Sequence, residues 1–292
     1  MNCFSAIFMP SRSPATLANT TPEAALSSPK FLCSNPRVDL HLPLEGLALY
    51  KSASQRARIG TEAWGATNFF CPSCNSPRLE PTPRNNAAVD YHCPSCNSPF
   101  QLKSQSKPFG RKIVDAAYSE MKRAILGDRT PNLFVLHYDL TQWAVCTVIL
   151  IPHFAFALSA IECRKPLAPT ARRAGWVGCN ILLEKVPPDA RIVLVDAGKL
   201  RSPSEVRRAY RRLRPLEKLA VEKRGWTLDV LNVVRSVGTN EFSLADVYAH
   251  SDALARLHPK NAHVRDKIRQ QLQVLRDLGL IEFLGAGCYK TR

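Results

Sequence analysis

Apolar residues recur along this chain at two spacings, one typical of strands and one typical of helices. The runs Leu133–Leu140 (LFVLHYDL) and Trp143–Ile151 (WAVCTVILI) are rich in β-branched and aromatic residues and are joined by a short polar turn. They predict neighbouring strands of one sheet. Helical spacing occurs over Ser52–Trp64 and over Arg111–Leu126, and Ser52 is available as the N-cap of the first helix. The combination predicts an α/β (α+β) first domain.

The pattern changes to helical periodicity near Gly225. Amphipathic stretches predict helices over Trp226–Val237, Ser243–Leu257 and Val264–Leu278, and the glycine-punctuated run Leu280–Lys290 (LIEFLGAGCYK) predicts a hairpin. Three helices followed by a short hairpin is the element order of a winged helix-turn-helix.

The beginning of the chain differs from both of these parts. Residues 1–38 are dominated by Ser, Pro, Ala, Thr and Asn, with almost no charge and no sustained periodicity. They predict a disordered extension, with a start codon assigned too far upstream as the alternative. The remainder divides into a first domain, residues 39–220, and a winged-helix domain, residues 221–292.

The net charge narrows the class of partner. Forty Lys and Arg residues stand against 24 Asp and Glu in 292 residues, a formal charge of +16. Such an excess predicts an anionic polymer such as DNA as partner, and we expect no obligate protein partner. Ten basic and three acidic residues lie between Lys199 and Arg224. A solvated helix face is the alternative explanation for that run.

Cysteine usage indicates a reducing compartment. Four of the ten cysteines form two C-P-S-C units and the others are scattered singly, unlike a secreted disulfide framework. The longest apolar stretch, Trp143–Ala160, is interrupted by Pro152 and His153, so it predicts a buried strand and a following segment instead of a membrane span. With no secretory signal in the first residues, we expect a cytoplasmic protein with no membrane partner.

The two C-P-S-C units have the spacing of metal ligands. Eighteen residues separate Cys71-x-x-Cys74 from Cys93-x-x-Cys96, and two such pairs complete a tetrahedral thiolate shell for Zn²⁺. Four unligated thiols in two similar turns, or a redox dithiol, are the alternatives. Because no His, Asp or Glu completes an open shell, we expect the zinc to be structural.

A second group of residues flanks the later cysteine pair. Asp90 precedes Cys93 by three residues, and the segment Phe100-Gln101-Leu102-Lys103 follows Cys96. Period-2 spacing puts Gln101 and Lys103 on one face of a strand, and the cysteine turn would bring Asp90 beside them. Oxygen ligands and a lysine in this arrangement could hold Mg²⁺ next to a scissile phosphate. A solvated strand face is the alternative.

Four segments together resemble one known family. They are Asp90 with Gln101-Leu102-Lys103 around a C-P-S-C unit, Arg164–Ile181 (RKPLAPTARRAGWVGCNI), Tyr50–Trp64 (YKSASQRARIGTEAW) and Lys267–Arg276 (KIRQQLQVLR). Over residues 39 to about 290 the chain resembles the DpnI-like endonucleases, the Dam-replacing protein family of bacteria. The resemblance implies a PD-(D/E)xK-type nuclease domain with an inserted four-cysteine zinc site and a C-terminal winged helix. Both domains would recognise double-stranded G-A-T-C sites carrying N6-methyladenine.

The resemblance also implies roles for particular residues. Asp90, Gln101 and Lys103 would be the Mg²⁺-dependent active-site triad, the four cysteines the zinc ligands, and Trp176 a residue near the methyl groups. An aromatic face can remove methyl groups from water, and Arg172 and Arg173 can contact phosphate or guanine. An ordinary packed tryptophan is the alternative for Trp176.

One departure from the family concerns the metal. The family has Glu where this chain has Gln101, and an amide brings no negative charge to an ion. Glu62, in the first helix, is a possible auxiliary acid, with an exposed helix glutamate as the alternative. The amide leaves open a second function, a zinc and winged-helix regulator that binds methylated sites without cutting them.

The third helix of the last domain predicts a DNA-reading face. Its apolar stripe is Val264, Ile268, Leu272, Leu275 and Leu278. At 100° per residue, polar residues occupy the other side of the helix, and Arg269 lies at the border of that side. These residues can contact bases or phosphates, or can simply be solvated. These candidate DNA contacts are His263, Lys267, Arg269, Gln270 and Gln273.

Overall fold

The computed structural model describes residues 39–83 and 89–292. The disordered extension predicted for residues 1–38 falls outside that part of the chain. The strands are β1 (Glu80–Pro81), β2 (Tyr91–His92), β3 (Pro99–Gln105), β4 (Lys112–Ala117), β5 (Asn132–Asp139), β6 (Ala144–Ile151), β7 (Ile161–Cys163), β8 (Gly178–Leu182), β9 (Ile192–Asp196), β10 (Lys199–Leu200), β11 (Glu241–Ser243), β12 (Ile281–Gly285) and β13 (Cys288–Thr291). The α-helices are α1 (Ala53–Asn68), α2 (Tyr118–Leu126), α3 (Pro203–Leu213), α4 (Val221–Ser236), α5 (Leu244–Tyr248), α6 (Ser251–Leu257) and α7 (Val264–Asp277).

A seven-stranded mixed sheet in the order β1-β2-β3-β5-β6-β9-β10 forms the centre of the first domain. β3 and β5 are parallel, whereas β5 and β6 are antiparallel neighbours joined by the predicted polar turn. The two strands predicted from sequence are therefore confirmed. Their side chains Phe134, Val135 and Leu150 are fully buried, which explains why the sequence there is almost continuously apolar.

The helix predicted over Arg111–Leu126 is wrong in its first half. Lys112–Ala117 forms β4, and only Tyr118–Leu126 is helical. β4 pairs with β8 in a second sheet of order β4-β8-β7, where Ile113 and Asp115 are buried. Burial on alternate positions is the period of a strand, so tertiary pairing overrode the helical spacing of the isolated segment.

Helix α1 approaches the main sheet closely. Ser52 precedes the helix as predicted, but its hydroxyl pairs with Ser54 at 2.8 Å and caps no backbone N–H. A Cβ placed on Gly65 would lie 2.5 Å from the Tyr91 hydroxyl oxygen and 2.7 Å from a ring carbon of Phe69. The absence of a side chain at Gly65 therefore lets the helix approach β2.

The second domain has the predicted order of helices and a terminal hairpin. β12 and β13 pair at the end of the chain, and β11 joins them in a three-stranded antiparallel sheet. The helix predicted over Ser243–Leu257 is interrupted at Ala249 and His250, giving α5 and α6, while α4 begins five residues before the predicted Trp226. No helix in residues 39–83 and 89–292 has both the length and the apolarity needed to cross a lipid bilayer.

Helix α4 joins the two domains through charged contacts. The buried Arg224 side chain pairs with Asp128, and Arg235 Nε lies 2.6 Å from Asp189 Oδ2. Asp229 Oδ1 accepts a hydrogen bond from Ser159 Oγ at 2.5 Å. Because these partners belong to the first domain, α4 is part of a shared interface.

We expect Gly65→Ala to destabilise the protein by about 1–3 kcal/mol, because the new methyl group overlaps Tyr91 and Phe69. Gly225→Ala in α4 is a matched control, since the nearest atom, Ala157 Cβ, would be 4.0 Å from the added Cβ. That change should alter stability by less than about 1 kcal/mol. Urea unfolding of both variants measures the difference, and equal midpoints would contradict the packing argument.

Candidate active site, metal centre and nucleic-acid interface

The β2–β3 hairpin brings Asp90 next to Gln101. Tyr91 pairs with Phe100 and His92 with Pro99, so the chain reverses direction around Cys93 and Cys96. The Asp90 backbone N–H donates to Phe100 O at 2.8 Å, and its carboxylate Oδ2 accepts from the Leu102 N–H at 2.7 Å. Backbone pairing thus fixes both the main chain and the side chain of Asp90.

These residues line a cavity of about 310 Å³ between α1 and the sheet. The structure brings Asp90, Gln101 and Lys103 together there, as their spacing predicted, and it adds the predicted auxiliary residue Glu62. The cavity is lined by Arg58, Thr61, Glu62, Asp90, Gln101, Leu102, Lys103 and Ser104.

Helix α1 is held against the hairpin by two hydrogen bonds. The Tyr91 hydroxyl donates to Glu62 O at 2.7 Å, and Thr61 Oγ1 lies 3.1 Å from Ser104 Oγ. Burial raises the pKa of the Tyr91 hydroxyl, which therefore remains a neutral donor. Together the two bonds place the residues of α1 on the cavity wall.

The wall formed by α1 also carries a cation that sequence reasoning missed. Arg58 Nε lies 2.6 Å from Glu62 Oε1, and its hydrogen bond to Glu62 raises the pKa of the guanidinium. The Arg58 side chain is 70% exposed, and Arg58 precedes Glu62 by one helical turn. The i,i+4 spacing was visible in the sequence, but nothing there showed that the pair faces a cavity.

The donor set of the cavity fits a hard divalent cation. Asp90 and Glu62 offer carboxylate oxygens, and Gln101, only 9% exposed, offers an amide oxygen. Oxygen ligands of this kind suit Mg²⁺, which usually retains several waters and takes one or two carboxylates from the protein.

Lys103 makes a contact that the sequence did not predict. Its Nζ lies 2.7 Å from Oδ1 of Asp115 on β4. The Asp115 side chain is 2% exposed and that of Lys103 is 25% exposed. Asp115 was missed because its segment was predicted to be a helix, which would have directed it elsewhere.

The four predicted zinc ligands form one cluster. The Sγ atoms of Cys71, Cys74, Cys93 and Cys96 all lie within 4.8 Å of one another. The contacts Cys71–Cys96 and Cys74–Cys93 are 3.6 and 3.5 Å. Four thiolates about 2.3 Å from a tetrahedral zinc would be about 3.8 Å apart. The cluster is therefore compatible with a structural zinc.

The thiols differ in their surroundings. Burial raises the pKa of Cys71. Burial also acts to raise the pKa of Cys93, but the N–H groups of Cys96 and Ser95 stabilise its thiolate and lower the value to about 7. Arg207 of α3 donates to Cys71 O at 3.0 Å and to Ser76 O at 2.9 Å, which anchors the first cysteine turn to the domain.

Trp176 lies in the loop before β8. The half-buried ring covers Gly178, where a Cβ would lie 2.8 Å from a ring carbon, and the Arg173 guanidinium carbon lies 4.8 Å from the ring centroid. Arg172 is exposed beside it. The loop therefore presents one aromatic ring and two cations at the surface.

The predicted face of α7 is partly gathered around a shallow depression. His263, Lys267 and Gln270 line it with Asn261 and Asp266. Arg269 instead turns toward the Tyr248 ring, 5.8 Å from its centroid, and Gln273 is exposed one turn later. The opposite stripe is buried at Ile268, Leu272 and Leu275, with Val264 and Leu278 half-buried, as predicted.

Comparison with protein families matches nearly all of the described chain. The model of the Dam-replacing family, DpnI, matches residues 38–219, and that of the Dam-replacing helix-turn-helix domain matches residues 222–291. The chain belongs to the DpnI family. Membership implies a methylation-dependent restriction endonuclease that binds DNA, with a mixed α/β domain followed by a helix-turn-helix domain of the winged type. The resemblance drawn from the sequence motifs is confirmed.

Proposed function

We propose that this DpnI-family protein is a PD-(D/E)xK-type endonuclease that hydrolyses both strands of duplex DNA at G-A-T-C sites carrying N6-methyladenine. The observation that supports this most directly is the gathering of Asp90, Gln101, Lys103 and Glu62 around one cavity. A solvated strand face would not place the α1 carboxylate opposite the hairpin.

The residues of the cavity divide into ligands and a charge-stabilising group. Asp90 and Gln101 would hold Mg²⁺, with Glu62 as an auxiliary acid, and the bound ion would polarise a phosphate oxygen and activate water. Lys103, which lines the cavity, would stabilise the negative charge that develops on the scissile phosphate. Arg58 offsets the negative charge of Glu62 and so reduces the repulsion between that carboxylate and the approaching DNA phosphates.

Two surfaces of the protein would recognise the methylated DNA site. In the first domain Trp176 would contact the methyl groups while Arg172 and Arg173 contact phosphate or guanine. On α7 the candidates for base and phosphate contacts are His263, Lys267, Arg269, Gln270 and Gln273. One mismatched position costs about 1–3 kcal/mol, so a second recognition surface protects unmethylated DNA from cutting.

One observation favours a second candidate function, a regulator that binds methylated sites without cleavage. Gln101 is uncharged, so it contributes an amide dipole where a family member's glutamate would contribute a full charge to the ion. Three groups still favour cleavage: Asp90 held by the Leu102 N–H, Glu62 on the facing helix, and Lys103 beside them.

Digestion of plasmids from adenine-methylating and non-methylating hosts separates the two functions. With Mg²⁺ the protein should fragment only the methylated plasmid, and Lys103→Ala should slow cutting by about 100-fold or more. Lys112→Ala is the matched control and should cut normally, because Lys112 is half-exposed and pairs with Glu162 outside the cavity. Gel retardation of methylated DNA without any cutting would support the regulator.

We expect one zinc ion per chain, held by the four cysteines. Cys93→Ser should abolish zinc binding and lower the thermal midpoint, because a structural ion contributes its binding free energy to folding. Cys288→Ser, an exposed cysteine of β13, should retain full zinc content. Elemental analysis of the purified proteins gives the answer, and a zinc-free wild type with an unchanged fold would rule out this site.

Restoring an acid at the amide position should strengthen metal binding. We expect Gln101→Glu to lower the Mg²⁺ concentration for half-maximal cutting by about fivefold or more, because even in a water-like dielectric the added charge contributes about 1 kcal/mol or more. Gln142→Glu, in an exposed turn, should leave the requirement unchanged. A Mg²⁺ titration of the cutting rate measures both, and equal requirements would place the ion away from residue 101.

A further inference from the structure

A buried carboxylate contacts the lysine of the candidate active site. Lys103 Nζ lies 2.7 Å from Asp115 Oδ1, and only 2% of the Asp115 side chain is exposed. Among residues 39–83 and 89–292, Lys103 is the only cation within ion-pair distance of Asp115, and no hydrogen bond to its Oδ1 is present. Among the described residues, the negative charge of Asp115 is therefore offset by the Lys103 ammonium group alone.

The two residues come from different sheets. Lys103 belongs to β3 of the main sheet, whereas Asp115 belongs to β4, where it pairs in register with Cys179 of β8. Cys179 is fully buried, and burial raises the pKa of its thiol to about 11, with a further contribution from the charge of Asp115. Asp115 thus projects from a packed strand whose backbone is fixed independently of the cavity.

Burial makes this contact unlike a surface ion pair. An isolated carboxylate in an apolar environment is strongly unfavourable, and its retention requires a partner in a defined place. Lysine has a flexible four-carbon stem and gives no directional preference of its own. The short, buried side chain of Asp115 therefore restricts where Lys103 Nζ can lie.

We propose that Asp115 is the positioning residue for Lys103, holding its ammonium group directed at the phosphate site during DNA cleavage. This inference rests on the proposed nuclease function. The alternative is an ion pair that only joins the two sheets. A purely structural pair would affect stability, whereas a positioning residue affects the rate of the chemical step in a protein that is folded and binds DNA.

The first experiment compares Asp115→Asn with the wild type on a methylated G-A-T-C duplex. We expect kcat to fall by about 10- to 100-fold, as for a small misplacement of a catalytic group. KM, and the affinity for the duplex with Ca²⁺ in place of Mg²⁺, should remain near the wild-type values. The thermal midpoint should also remain near that of the wild type, because the substitution removes the buried charge itself.

Glu162→Gln provides the matched control. Glu162 Oε2 lies 2.7 Å from Lys112 Nζ, the same separation, but both side chains are well exposed and the pair lies outside the cavity. It is on β7, in the same small sheet as Asp115. This variant should cut methylated DNA at the wild-type rate.

A double-mutant cycle tests the pair without relying on one variant. Lys103→Ala strands the buried carboxylate and should lower the thermal midpoint, whereas Lys103→Ala with Asp115→Asn should recover most of that loss. Asp115→Asn should not slow cutting further when Lys103 is already replaced, because its effect acts through that lysine.

The outcomes separate this inference from the proposed function. Wild-type kcat in Asp115→Asn, or the same stability loss from Lys103→Ala with Asp or Asn at position 115, would overturn the positioning role and leave the nuclease intact. A wild-type protein that binds methylated DNA but never cuts it would reject the nuclease, while the stability cycle would still report whether the two residues are coupled.

Discussion

The register between β2 and β3 is the constraint on which the candidate active site depends. Asp90 contributes to the cavity only because its backbone pairs with Phe100 and its carboxylate accepts the Leu102 N–H. Two members of the cysteine cluster, Cys93 and Cys96, lie in the turn between these strands. A shift of one residue would move Gln101 and Lys103 to the opposite face of β3. The second cysteine pair and Asp90 therefore belong to one hairpin.

Charge in this region is arranged in compensated pairs. Glu62 is matched by Arg58 on the exposed side of the cavity, and Lys103 by Asp115 on the buried side. The exposed pair is screened by water and contributes little to stability. The buried pair is different, because removing either partner changes the solvation of the other. The proposed site for a phosphate and a cation thus leaves neither Asp115 nor Lys103 as an isolated charge.

Helix α4 gives the two domains a common element. Its side chains Arg224, Asp229 and Arg235 bond to the first domain, while the helix also packs against α5 and α7 of the second. His258, directly after α6, also contacts Asp229 at 2.8 Å and stacks on Trp226, so the interface reaches the segment that precedes α7. Helix α7, which we propose to bind DNA, is therefore linked to the first domain through α4 by packed and hydrogen-bonded groups.

Local spacing was sufficient for much of this protein. The buried strands β5 and β6, the apolar stripe of α7, the terminal hairpin and the four clustered cysteines follow from short-range periodicity and ligand spacing, and family motifs identified the class of enzyme. Pairing between strands that are far apart in the sequence could not be predicted from local spacing. β4 has helical spacing as an isolated segment and becomes a strand only because β8 lies beside it, so Asp115 could not be associated with Lys103. Likewise the sequence did not show that Arg58 borders a cavity. The side of a helix that faces a cavity depends on the element against which the helix packs, which for α1 is β2.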